Sequence, residues 1–256
     1  MRWLFFLTPP ADGAYNMALD EALMARAART GDAVFRVYGW SSPTLSLGRN
    51  QRARDCYDTA AANDMGIEFV RRPTGGRALL HHREVTYSAT LPVQSADEAR
   101  GAYDFINNVL LAGLGRLGVS AGRPATSTAL PPGLRPCFDV PAEHEIAVDG
   151  RKLVGSAQWR RGGALLQHGS ILVHDDQALI SRLVIEPSAD ATPTAATLAD
   201  ALGFEPSSEQ VALPILQSLE EAIGLRVEAF AIGNDLYPDV QRLRATYRDA
   251  AWTWRR

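Results

Sequence analysis

The sequence predicts an α+β fold, a mixed and largely antiparallel β-sheet flanked by helices, in one domain over residues 1–256 with no separate C-terminal accessory domain. Three observations carry that expectation. Short apolar and β-branched runs recur between turn residues, and Asp149-Gly150 is the strongest short hairpin signal among them. Ala- and Leu-rich stretches fall between these runs irregularly, without the regular strand–helix alternation of a parallel sheet. Neither an internal repeat nor a linker divides the chain.

The elements follow in order. "WLFFL" (3–7) reads as a first strand, cut off by Thr8 and two prolines. It is too short for a secretion signal or a membrane span. Residues 13–29 are rich in Ala, Leu and Met and end at Thr30-Gly31, which predicts a helix. Strands follow at 33–40 and 44–49 around a Ser-Pro turn, then a short helix near 55–65 and a strand at 67–72. Gly75 and Gly76 interrupt before "ALLHH" and "EVTYSATL" resume the extended pattern. Phe105, Val109, Leu110 and Leu114 recur at helical spacing over 102–117. The stretch 119–136 is rich in Pro, Gly, Ser and Thr, predicts no element, and delivers the chain to Cys137. A hairpin turning at Asp149-Gly150, a strand at 164–173, helices near 176–184, 208–223 and 238–250, and a strand "RVEAF" complete the reading.

Composition excludes several classes. Formal net charge is −3 and the pI about 6.0, with no dense basic stripe, so nucleic acid is not an expected partner. No apolar run approaches membrane length. Cys56 and Cys137 have no metal-ligand spacing and read as reduced thiols of a cytoplasmic protein.

Three local features can carry chemistry. In "RRPTGGRALLHH", paired glycines let a backbone approach a ligand and offer N–H groups to an oxygen; the same residues also make an ordinary hairpin turn with surface arginines. His81 and His82 are adjacent on a strand and point to opposite faces, which argues against a shared metal. Cys137 follows an irregular loop and Pro136, a setting for a working thiol, whereas Cys56 in an Ala-rich segment reads as packing. Lys152 is the only lysine against 25 arginines. An amine can shed its proton and act as a base, or favour a neighbouring thiolate; a guanidinium cannot shed its proton. Across the Asp149-Gly150 turn, Lys152 stands opposite Ala147 and projects either into a cavity or into water.

"GAYNMALDEAL…PTLSLGRNQ", "RRPTGGRALLHHREVTYS" and "GRKLVGSAQWRRGGALLQHGSIL" together resemble the lipoate–protein ligase, octanoyltransferase and biotin ligase superfamily. "TGGRA…LH", with "CFDVP" fifteen residues before the lysine, is most similar to its LipM-type octanoyltransferases. Arg77 stands where lipoate ligases have a third glycine, and His82 where many relatives have an acid. The resemblance implies the catalytic-domain fold of that superfamily and octanoyl transfer from acyl carrier protein to a lysine of a lipoyl-domain protein such as glycine cleavage protein H. It implies Cys137 as acyl-thioester nucleophile and Lys152 as its activator. Arg71, Arg72, Gly75, Gly76, Arg77, His81, Gly155, Ser156, Ala157 and His168 are implied around the substrates. A monomer without cofactor or metal is expected. Leu79, Tyr87 and Leu166 are candidate liners of an acyl tunnel, and Arg71, Arg72, Arg160 and Arg161 candidates for docking. Three readings stay open beside this one: an ATP-dependent ligase, an amidotransferase between lipoyl domains, and a non-enzymatic binder of acylated carriers.

Overall fold

The computed structural model describes residues 1–123, 146–186 and 194–256. Cys137, and the expected irregular stretch from residue 124 onward, lie outside the described residues. In chain order the elements are β1 (Trp3–Leu7), α1 (Gly13–Thr30), β2 (Ala33–Tyr38), β3 (Thr44–Leu47), α2 (Thr59–Asp64), β4 (Glu68–Arg71), β5 (Leu79–His81) and β6 (Glu84–Pro92). They continue with α3 (Ala96–Leu117), β7 (Ile146–Val148), β8 (Arg151–Arg161), β9 (Ala164–Leu172), a 3₁₀ turn (Gln177–Arg182), α4 (Leu198–Leu202), α5 (Ser208–Ile223), β10 (Glu228–Ala229), α6 (Tyr237–Arg248) and α7 (Ala250–Thr253).

The α+β expectation holds, with two sheets where the sequence suggested one. A seven-stranded sheet runs β10-β1-β2-β6-β9-β8-β7, and a three-stranded sheet runs β4-β3-β5. Pairing is antiparallel except at β1·β10, β1·β2 and β3·β4. Turn chemistry sets the long hairpins: Asp149 and Gly150 have φ of 48° and 74°, and Gly162 and Gly163 of 58° and 80°, the left-handed pairs that two-residue hairpins need. Helix α3 starts at Ala96, six residues before the expected start, because the Ser95 hydroxyl accepts the Glu98 N–H and caps a polar first turn that periodicity cannot register. The short α4 and α7 were not anticipated.

The large sheet buries both faces. Phe35, Tyr87, Ala89 and Leu91 face α3 and α5, forming the main apolar core with Val109, Leu110, Ile215 and Leu219. The other face, alternating along the same strands, meets α1 with Arg36, Ser88 and His168. Strand alternation therefore sends the main apolar core one way and these polar groups the other, where Leu4, Val34 and Leu166 on the same face pack against α1. Among the described residues no helix is long and apolar enough to cross a membrane.

Candidate active site

Between α1, the polar face of the large sheet and the small sheet lies a small, narrow cavity. Met17, Tyr38, Trp40, Leu79, Thr86 and Gly169 line it, together with Arg72, His81, Gly155, Ser156, Ala157, His168 and Ser170. Six residues expected at the site from sequence are thus brought together, from three strands and a loop.

The wall holds two histidines, and each spends both ring nitrogens on protein. His168 lies 2.6 Å from the Thr74 hydroxyl through Nε2 and 3.3 Å from Asp20 through Nδ1. Asp20, fully buried on α1, also accepts from Arg36 at 2.8 Å, Tyr38 at 2.9 Å and Ser88 at 2.8 Å. Burial alone would raise the Asp20 pKa; the bond from His168 and the charge of Arg36 outweigh it and hold the carboxyl below its usual range. Burial pushes His168 down, outweighing the pull of Asp20, so its imidazole is neutral.

His81 is built the same way. Its ring stacks on Trp40 at 3.9 Å, Nε2 lies 2.8 Å from Ser46 Oγ, and Nδ1 lies 2.8 Å from Glu84. The Glu84 carboxylate can only accept, which places a ring proton on Nδ1; Nε2 faces the Ser46 hydroxyl, whose oxygen also accepts from Arg72. Glu84 Oε1 also accepts from Thr86 at 2.5 Å and Ser170 at 2.7 Å, and Thr86 in turn accepts from the Trp40 N–H. Polar side chains build the wall, and most of their polar atoms bond one another; Glu84 Oε2 has no partner among the described residues. What they present to the cavity is largely carbon.

Lys152 is buried, with 2 % of its surface exposed, which removes the open alternative of projection into water. It pairs with Ala147 as the turn predicted. Its carbonyl accepts the Ala196 N–H at 2.9 Å. Along β8 it precedes the cavity-lining Gly155 by three residues, about 10 Å of strand.

Several expectations need correction. Arg71 is not at a mouth: it is wholly buried and donates to the carbonyls of Gly48, Gln51 and Thr253 at 2.6 to 2.8 Å. Arg72 lines the cavity, but its guanidinium is spent on the carbonyls of Ser46, Gly75 and Arg77. Gly75, Gly76 and Arg77 do not line the cavity. The close approach predicted for the glycine pair is made by another backbone, since a Cβ on Gly48 would sit 1.9 Å from the Gly76 oxygen. Nor is "RRPTGGRALLHH" a hairpin, because β3 lies between β4 and β5. Leu79 lines the cavity as expected. Tyr87 lies on the opposite sheet face and reaches the Ser156 hydroxyl at 2.7 Å, and Leu166 packs with Met24 and Ala27 away from the cavity. His82 is exposed beside Asp176, on the other side from His81.

The residues missed from sequence are the buried polar ones: Asp20, Arg36, Thr74 and Glu84. Asp20 and Arg36 left a signal, a charge set among apolar residues in "NMALDEAL" and "AVFRVY".

The fold and this cavity define the class: a catalytic domain with a largely carbon-faced cavity behind a wall of hydrogen-bonded polar side chains. The chain belongs to the family of the lipoyl protein ligase A/B catalytic domain, whose profile matches residues 12–220. It is 36 % identical over 272 residues to the octanoyltransferase LipM of Kyrpidia tusciae, covering 99 % of each chain. It is 41 % identical to that of Carboxydothermus hydrogenoformans over 186 residues, 71 % of this chain and 69 % of the relative. In fold it is similar to the bi-partite lipoate protein ligase of Thermoplasma acidophilum, with a TM-score of 0.81 at 21 % identity, over 99 % of this chain and 96 % of that one.

Proposed function

We propose that the protein is an octanoyltransferase of lipoate biosynthesis, moving an octanoyl group from acyl carrier protein to a lysine of a lipoyl-domain protein through a thioester on Cys137. The observation that carries the reading is the carbon-faced cavity in a chain this similar to octanoyltransferases over its whole length. Each methylene moved from water contributes about 0.8 kcal/mol, so the six of an octanoyl chain contribute roughly 5 kcal/mol. Such a sum lets the depth of a narrow apolar cavity discriminate between chains. The acceptor class is a lipoyl domain, and glycine cleavage protein H is one such protein.

Chemistry follows in two balanced steps. Cys137 sulfur attacks the carrier's thioester carbonyl; the new carbon–sulfur bond forms as the carrier's breaks, and the carrier leaves as a thiol. The acceptor amine then attacks the acyl-cysteine, forms the amide and returns the Cys137 thiol. Each step moves one proton from the attacking group to the leaving sulfur, a relay that the Lys152 amine can serve and a guanidinium cannot. Neither step is redox and neither activates a free acid, so the transfer needs no nucleotide, metal or other cofactor.

The test uses octanoyl carrier protein, with mass spectrometry to find a hydroxylamine-sensitive octanoyl adduct on Cys137. Loss of the adduct and of turnover in Cys137→Ala, and a severe fall in rate with folding intact in Lys152→Arg, are the expected results. A fully active Cys137→Ala enzyme overturns the covalent route. Release of pyrophosphate from ATP with free octanoate would assign the protein to the ligases instead.

A further inference from the structure

Most paired arginines of this chain sit on carboxylates: Arg2 and Arg26 on Asp32, Arg36 on Asp20, Arg83 on Asp176, Arg244 and Arg248 on Asp12. One group behaves differently. Arg161, Arg49 and Arg255 alternate with two tryptophans in a ladder: Arg161 lies 5.8 Å from the Trp159 ring, Arg49 4.9 Å from Trp159 and 6.0 Å from Trp252, and Arg255 3.8 Å from Trp252. Arg255 also donates to the Arg49 carbonyl at 2.6 Å. The Arg256 carbonyl accepts the N–H groups of Ala53 and Arg54, which ties the exposed Arg52 and Arg54 to the same surface. None of these six arginines forms an ion pair with a described Asp or Glu. The density of like charge is felt beneath, where burial and then Arg255, Arg256 and Arg72 push the pKa of Arg71 down to about 10.

The patch borders the cavity. The Arg49 N–H donates to the Thr74 carbonyl at 2.8 Å, and the Thr74 hydroxyl is the one that bonds His168 in the cavity wall. Trp159 stands two residues beyond Ala157 on β8 and shares its sheet face, and Ala157 is a lining residue. Clustered cations without a described carboxylate partner, in a chain of net charge −3, are unfavourable to the isolated protein. Guanidinium groups resting on indole faces keep their N–H edges free and are weakly hydrated, which suits pairing across a protein interface.

We infer that this arginine–tryptophan ladder is the docking surface for an acidic face of the protein that delivers the acyl thioester. The assignment rests on the transfer reading above and goes beyond it by naming the surface. The donor is the partner that must thread a carbon chain into the cavity, so its attachment point has to be registered against this rim. Charges of this kind act mainly on the encounter rate and on its salt dependence.

The test compares the native protein with the double variant Arg52→Glu/Arg161→Glu, both exposed and outside the cavity. Donors are octanoyl carrier protein and the uncharged octanoyl thioester of N-acetylcysteamine, each across a range of ionic strength. Expected for the variant is a kcat/KM with octanoyl carrier protein reduced roughly tenfold, with its salt dependence flattened, and an unchanged value with the small thioester. An unchanged value with the carrier, an equal loss with both donors, or a loss confined to the acceptor protein's KM would each overturn the assignment. Binding of octanoyl carrier protein by fluorescence anisotropy separates the two layers. If no transfer occurs but salt-sensitive binding is lost in the variant, the surface stands and the transferase reading fails. If neither transfer nor binding occurs, both fail.

Discussion

His168 shows how one residue of the cavity wall couples site and stability. Its folded pKa lies below the ordinary value of 6.5, because burial excludes the charged form. The unfolded chain therefore binds a proton below pH 6.5 that the folded chain refuses, and stability falls as the pH drops through that value. Asp20, held below 3.8 despite its burial, adds a second loss in the same direction at more acid pH. Thermal melting followed from pH 8 downward should show a fall that begins near 6.5 and is flattened in His168→Gln. A melting temperature constant through that range would mean that the imidazole is charged in the folded state. The same residue marks what was legible at this scale. "LLQHGSIL" identifies His168 as a polar residue of a strand, but no spacing reveals that Asp20, 148 positions away, and Thr74, 94 away, occupy its two nitrogens.

At the scale of elements, the α3–α5 pair depends on a close approach. A Cβ on Gly113 would meet Ile215 Cγ1 at 2.8 Å, its Cα at 2.9 Å and its N at 3.1 Å. Two of these atoms are backbone, so the clash cannot be relieved by a rotamer. Helix propensity favours alanine over glycine by about 1 kcal/mol; here the overpacking outweighs it. Gly113→Ala is expected to lose roughly 1–3 kcal/mol in chemical denaturation, while Gly115→Ala, which meets nothing within 4 Å, should be neutral or stabilising. Because this helix pair covers the sheet face opposite the cavity, turnover in Gly113→Ala should be retained at temperatures where it is folded. Most elements were legible because periodicity and turns are local: Asp149-Gly150 and the strands on either side are where the sequence places them. The pairing of β3 between β4 and β5 was not, since three short strands of similar composition admit several orders and only their packing on α2 and the 3₁₀ turn selects one.

For the molecule as a whole, Arg71 joins parts far apart in sequence. Its guanidinium gathers the carbonyls of Gly48, Gln51 and Thr253, and so fixes the loop beside the Gly48–Gly76 contact against the last turn of the chain. Arg71→Lys keeps the charge but cannot span three carbonyls from a single nitrogen. A loss of about 3 kcal/mol is expected, with faster proteolysis near α7 than elsewhere as the distinguishing readout. Uniform destabilisation without that local opening would show that the clamp is not what holds the terminus. The sequence by itself determined the fold class, the long hairpins and the single amine among arginines, because alternation, turn conformation and composition are properties of neighbouring residues. Only the tertiary structure decided that Arg71 is a clamp, that Lys152 is buried, and that the histidines turn carbon to the cavity. A buried polar atom must find its partner wherever the packed chain supplies one, and distance along the sequence does not limit that choice.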